Sequence, residues 1–193
     1  ALSKLVDSAD SKNQLVDTVV KCAKARSTRI CIAGSAAFLE LASRVGSNDA
    51  GFLEEQAEMI GFRCWRMFHP ELRSSNLTAA ELWMSLEARF PTQASAVMAD
   101  GMLSPAENRR SRNLERYGRM WRLVMEHHLD RAGHDCGLLL MLDALVDRRR
   151  TDRMIATMWL TDALYLDPVT VCDQPLHLLL GPETSVNEGT HEY

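Results

Sequence analysis

Little in this chain of 193 residues favours a β-sheet. Val and Ile are sparse and scattered, and these are the residues that suit a pleated, half-buried surface. Proline is scarce, at six residues, so few positions forbid a helix. No apolar run reaches about 18 residues, which excludes a membrane-spanning helix. The five cysteines (Cys22, Cys31, Cys64, Cys136, Cys172) form no CxxC pair. An odd number of thiols on helical faces points to a reducing compartment rather than a disulfide scaffold. The opening residues, ALSKLVDSAD, are too polar for a signal peptide. The expectation is a cytosolic or nuclear protein whose initiator Met has been trimmed, neither secreted nor transmembrane. Also missing are a nucleophile elbow, a phosphate loop, a dinucleotide fingerprint and HExxH. Gly34-Ser35 lacks the flanking pattern of a serine nucleophile, and the cysteines have mostly apolar neighbours. The chain therefore reads as no enzyme, with no cofactor and no small-molecule substrate.

What is present is a helical pattern with punctuation. Hydrophobic residues make up 46% and charged residues 25%, which is ordinary for a globular chain. Ser11 with Gln14 forms a capping box ahead of the stripe Leu15, Val16, Val19, Val20, Ala23, and Thr78 with Glu81 forms another. Ser104, Pro105 and Glu107 mark a third start, and Asp135 and Thr151 suit two more caps. Gly46, Gly101, Gly133 and Gly181 follow apolar periodic segments, as C-terminal glycines do.

These signals predict helices near 2–9, 12–26, 29–45, 49–68, 79–90, 93–100, 105–131, 136–148, 152–166 and 175–180, with Gly61 a place where the fourth could split. Residues 29–34 (RICIAG) also suit a short strand, but a lone strand has no partner. Residues 136–142 (CGLLLML) are apolar on all sides and predict a helix enclosed by its neighbours. Trp65, Trp83 and Trp159, with Met59, Met67, Met84 and Met158, read as core or interface. The fold class is all-α. Two helical bundles, 1–76 and 77–181, are joined by the polar stretch PELRSSN (70–76), and an acidic tail at 182–193 is expected to be disordered. No internal repeat is visible.

Charge is unevenly spread. The net charge is −4, yet residues 101–153 carry eleven Arg against eight acids, while residues 154–193 carry six acids and no Lys or Arg. On the predicted helix 105–131, Arg109, Arg112, Arg116 and Arg119 share one face, beside an apolar face of Leu114, Tyr117, Trp121 and Val124. A second cluster is Arg148, Arg149, Arg150 and Arg153. If helices 105–131 and 136–148 pack antiparallel, Arg109, Arg110 and Arg112 approach Arg148–Arg150. Guanidinium forks suit phosphate and carboxylate oxygens. These nine arginines are the candidate site for an anion, an RNA or a lipid. The competing reading is a solvated, salt-bridged face, since Glu107, Glu115, Asp147 and Asp152 are interspersed. Aromatics interleaved for base stacking are missing, which argues against single-strand recognition.

A smaller cluster is His127, His128, His134 and Cys136, residue types that bind zinc. No second pair completes a familiar site. The alternative is a helix C-terminus where His favours the dipole. A zinc-dependent or thiol enzyme stays open on this cluster alone, although no metal is assigned to it.

With NRRSRNLERYGR (108–119) and DRRRTDR (147–153) as its basic segments, this two-bundle layout resembles the matrix proteins of the orthomyxovirus group, in the form of a distant member. The resemblance covers the general arrangement of residues 1–181 and departs from the family in net negative charge. It implies a structural protein that self-associates into a layer and contacts an anionic membrane surface and ribonucleoprotein through the arginine patches. It would reside in the virion and in host cytoplasm or nucleus, peripheral to membrane. The alternative is a helical nucleic-acid-binding regulatory protein.

Overall fold

The computed structural model describes residues 9–44, 50–68, 76–129 and 136–180. Among them are nine α-helices and no strand: α1 (Ala9–Ala23), α2 (Thr28–Arg44), α3 (Ala50–Arg66), α4 (Asn76–Arg89), α5 (Pro91–Met102), α6 (Glu107–Glu126), α7 (Cys136–Ala144), α8 (Arg150–Leu166) and α9 (Pro168–Leu180). The all-α expectation holds. The RICIAG segment is helical and opens α2, and α3 runs unbroken through Gly61. The predicted helix at 2–9 falls almost wholly outside the described residues, as do most of PELRSSN and the acidic tail.

Helix ends differ from expectation where backbone geometry overrides the local signal. The box at Ser104 predicts a start at 105, but α6 begins at Glu107. Its N-cap is Ala106, which has no capping side chain, and Ser104 is buried. At the other end α6 stops at Glu126 rather than 131. His127 is the C-cap and His128 adopts a left-handed φ of 51°. The His128 N–H donates to Met125 O (3.3 Å) and the Leu129 N–H to Val124 O (3.0 Å). That pair of bonds is the Schellman closure, here with histidine in the position glycine usually takes.

The packing order organises everything else. α2 packs on α4, α4 on α6 and α6 on α8; likewise α3 packs on α5 and α5 on α7. Helices α2, α4, α6 and α8 thus form one row and α3, α5 and α7 another, each helix stacked on the one two places along, while α1 packs on α2 and α9 on α8. Sequential neighbours α3–α4, α4–α5, α5–α6 and α7–α8 tie the rows together. One apolar core runs between them, from Val16 and Phe38 through Trp65, Trp83 and Met98 to Trp121, Trp159 and Val171. It crosses residue 76, where the two expected bundles were to be divided, because α4 rests on both α2 and α3.

α7 is less enclosed than its composition predicts. Leu138 and Met141 are buried, but Leu139, Leu140 and Leu142 are only half-buried. α7 closes the odd row, and among the described residues its main neighbours are α5 and α8 alone. At the other end of the molecule α1 and α2 approach backbone to backbone. A Cβ on Gly34 would lie 2.3 Å from the amide nitrogen of Ala23, so only glycine permits this contact.

Candidate arginine surface and the grooves beside it

α6 places its arginines by period. Leu114, Tyr117, Trp121 and Val124 are buried in the core, which turns the polar stripe outward. The structure then separates the nine candidates into different environments.

Arg110 is the most enclosed. Its Nη2 lies 2.8 Å from Asp147 Oδ2 and 3.8 Å from Asp143 Oδ2, and its Nε lies 3.4 Å from Asp152 Oδ2. Asp152, in the first turn of α8, is wholly buried. It accepts a 2.6 Å hydrogen bond from Ser111 Oγ and stands 3.7 Å from Arg149 Nη1. The Arg110 and Arg149 approaches to Asp152 are charge contacts rather than aligned hydrogen bonds, since Asp152 Oδ2, Arg110 Nε and Arg149 Nη1 have no hydrogen-bond partner.

Arg149 also donates to Pro105 O (2.9 Å), and Arg153 donates to Asp147 O (2.7 Å) and Arg148 O (2.9 Å). Asp147 in turn accepts from the Arg149 amide at 2.8 Å. That backbone hydrogen bond, first, holds its carboxyl below the usual range; burial opposes it, and the charges of Arg110, Arg149 and Arg153 add to the lowering. Arg110 and Arg149 therefore fasten the start of α6 to the turn between α7 and α8, and Arg153 ties that turn to α8. Of the expected approach of Arg109, Arg110 and Arg112 to Arg148–Arg150, one contact is seen among the described residues, Arg110 and Arg149 flanking Asp152. It is made by α8 stacking on α6 rather than by a close α6–α7 pair.

The others differ. Arg109 pairs with Asp100 on α5. Arg112, Arg148 and Arg150 are exposed. Arg119 is half-buried and lines a groove between α6 and α8. Arg116 is half-buried and donates from Nη1 to Asn113 Oδ1 at 3.1 Å. Burial, followed by the charges of Arg66 and Arg112, pushes the Arg116 guanidinium below its ordinary value, with Glu115 acting in the opposite direction.

Sequence reasoning missed Asn113. Its Oδ1 accepts the Trp65 indole N–H at 2.7 Å, and its Nδ2 donates to Arg109 O at 2.6 Å. A Cβ on Gly101 would meet its Cγ at 2.6 Å. One amide thus joins α3, α5 and α6. The signal available was a polar residue, Asn113, flanking the apolar stripe of a core helix.

Also unforeseen is the outer face of α8. Met154, Met158 and Tyr165 fall within about 40° of one another around the helix and are 55%, 64% and 88% exposed. Met154 and Met158 also line the α6–α8 groove, a cavity of about 540 Å3 between Leu114, Gly118 and Arg122 on one side and Ile155, Met158 and Trp159 on the other.

His127 and His128 are exposed cap residues, and His134 lies outside the described residues. Among those described, no group of three or more His, Cys, Asp or Glu is placed to hold a metal. Cys64 is buried beside Cys31 and Ser35, and burial pushes its thiol up to about 12. It is therefore a core residue in its native setting. No described helix is long and apolar enough to cross a membrane.

A family model described as DOP1B-like, TPR repeats, matches residues 39–170, which takes in α3 to α8 entire. No curated protein and no solved structure matches the chain. The family match overturns the resemblance to orthomyxovirus matrix proteins. With it go the expected roles as a layer-forming virion protein on lipid and ribonucleoprotein and as a nucleic-acid-binding regulator. It also corrects the reading that no repeat is present. Helical repeats are defined by how successive helices stack, and the two rows repeat in packing while their residues do not. The physical reason the resemblance misled is that it rested on an arginine-rich helix. Much of that charge is spent on partners within the chain, on Asp100 at the surface and on Asp147 and the buried Asp152.

Proposed function

We propose, on the premise that this chain belongs to the family of DOP1B-like TPR repeats, that it is a non-enzymatic interaction module that receives a helical segment of another protein on α8. In a stacked helical array each element buries its apolar stripe on the next, and the array presents an extended surface to partners. α8 is the last described helix of the even row. Its stripe of Met154, Met158 and Tyr165 stands where one further helix of that row would pack. The exposure of these three side chains is the observation that carries the reading. An amphipathic partner helix with anchors at i, i+4 and i+7 fits such a stripe and the adjoining groove, and methionine adapts to varied partners. The exposed Arg122–Asp162 pair on the flank supplies polar contacts at the rim.

The test places a photo-crosslinking amino acid at position 158, and in a separate protein at position 54 on the exposed side of α3, in extract from the source cells. A discrete protein adduct is expected from position 158 only, and Met154→Glu with Tyr165→Glu should abolish it without changing helical content. Equal adducts from both positions, or an adduct that survives the double substitution, would sink the reading.

A further inference from the structure

The arginines between α3 and α6 present a different problem from those bound to aspartates. Arg116 shares the Asn113 oxygen with the Trp65 indole, and its Nε is enclosed without a hydrogen-bond partner. Arg66 follows Trp65 and Arg112 precedes Asn113, so the Trp65–Asn113 hydrogen bond brings both to the same α3–α6 seam as Arg116, where their charges act on it and Glu115 opposes them. Among the described residues, no carboxylate lies within ion-pair distance of Arg66, Arg112 or Arg116. Gathering like charges around a half-buried guanidinium costs free energy unless an anion answers them.

Arg66 also rims a cavity of about 780 Å3 between the α1–α2 turn and α3. Lys24, Arg26 and Arg63 share that rim, while Met59, Phe62 and Met67 give it an apolar lining. Its size suits a small ligand, for which pockets run from roughly 300 to 1,000 Å3. Glu55 and Glu58 close the basic surface at one side of the cavity, and Glu115 bounds it on α6. The positive region is therefore a bounded site rather than a track for a polymer.

We infer that Arg66, Arg112 and Arg116 form a binding site for the phosphoryl group of a small phosphate monoester, whose apolar portion lies over Met59 and Phe62 in the adjoining cavity. A phosphate monoester brings a charge of about −1.5 to −2 and three acceptor oxygens. This matches three guanidinium groups better than a single carboxylate does. The site lies on α3 and α6 and does not depend on the α8 contact surface.

The experiment uses the full chain and follows the Trp65 indole N–H resonance, which reports on Asn113 and so on the site. Phenyl phosphate and inorganic phosphate are titrated separately at constant ionic strength, with chloride as the control. Phenyl phosphate is expected to shift this resonance saturably. Arg66→Gln and Arg112→Gln, both at exposed positions, should each weaken binding by about tenfold or more, the loss of one charge-assisted contact. Inorganic phosphate binding as tightly as phenyl phosphate would keep the phosphoryl site and identify free phosphate as its ligand. A shift reproduced by chloride, or affinity unchanged in both variants, would overturn the inference.

Discussion

At the start of α6, Arg110 sits between Asp147 and the wholly buried Asp152, whereas further along the same helix Arg116 feels Arg66 and Arg112, with Glu115 opposing them but no carboxylate within ion-pair distance among the described residues. The two places are built from the same residue type on one helix. In the first, arginine is internal fastening: charge is neutralised by partners from the α7–α8 turn and from α8. In the second, charge is concentrated and left for something else to meet. The contrast shows that arginine density along a helix says nothing about whether the charge is available. What decides it is which helix stacks alongside.

The largest effect that would test this contrast is at Asp152. Asp152→Ala removes the buried carboxylate that Arg110, Arg149 and Ser111 share, and loss of one partner from a buried pair costs about 3–5 kcal/mol. Urea denaturation should show a loss of that order. The same network has an acid limit. The Asp147 carboxyl is held low in the folded state, so its contribution is present above the unfolded carboxylate range near 3.9 and is lost as pH falls through the folded value. Stability should thus be level near neutrality and fall below about pH 4, less steeply in Asp147→Asn. A flat acid profile would mean the network does not stabilise the fold.

An intermediate effect is expected at Asn113, which connects the second region to the core. Asn113→Ala leaves the buried Trp65 N–H without its acceptor, worth about 1–3 kcal/mol, and should change the near-ultraviolet signal of the tryptophans. The smallest effect has the opposite sign. Arg112→Gln removes one of the crowded charges and should change stability by no more than about 0.5 kcal/mol, toward greater stability at low salt. If Arg112→Gln were as damaging as Asp152→Ala, the two regions would not differ in the way described.

Much of the fold was legible in advance, for a local reason. The stripe Leu114, Tyr117, Trp121, Val124 follows the helical period, so α6 and its buried face could be read from spacing alone. The nine arginines could be placed on the chain in the same way. Their environments could not, because each depends on residues far along the sequence: Arg109 on Asp100, Arg110 on Asp147 and Asp152, Arg149 on Pro105. The end of α6 was misjudged because His128 takes a left-handed conformation that a histidine does not announce. The enclosure of α7 was overestimated because an apolar composition does not reveal that a helix sits at the end of a row.

By itself, then, the sequence determined that this protein is helical, which faces of its helices are apolar, and where its positive charge is concentrated. These follow from residue type and periods of 3.6, which act within a few turns of chain. Only the tertiary structure decided that helices stack two places apart, that Asn113 joins three of them, that the α8 stripe is exposed among the described residues, and that some arginines are neutralised while others are crowded together. Those outcomes depend on contacts between residues tens of positions apart. A long-range contact is selected by how whole helices pack, and no local pattern encodes that.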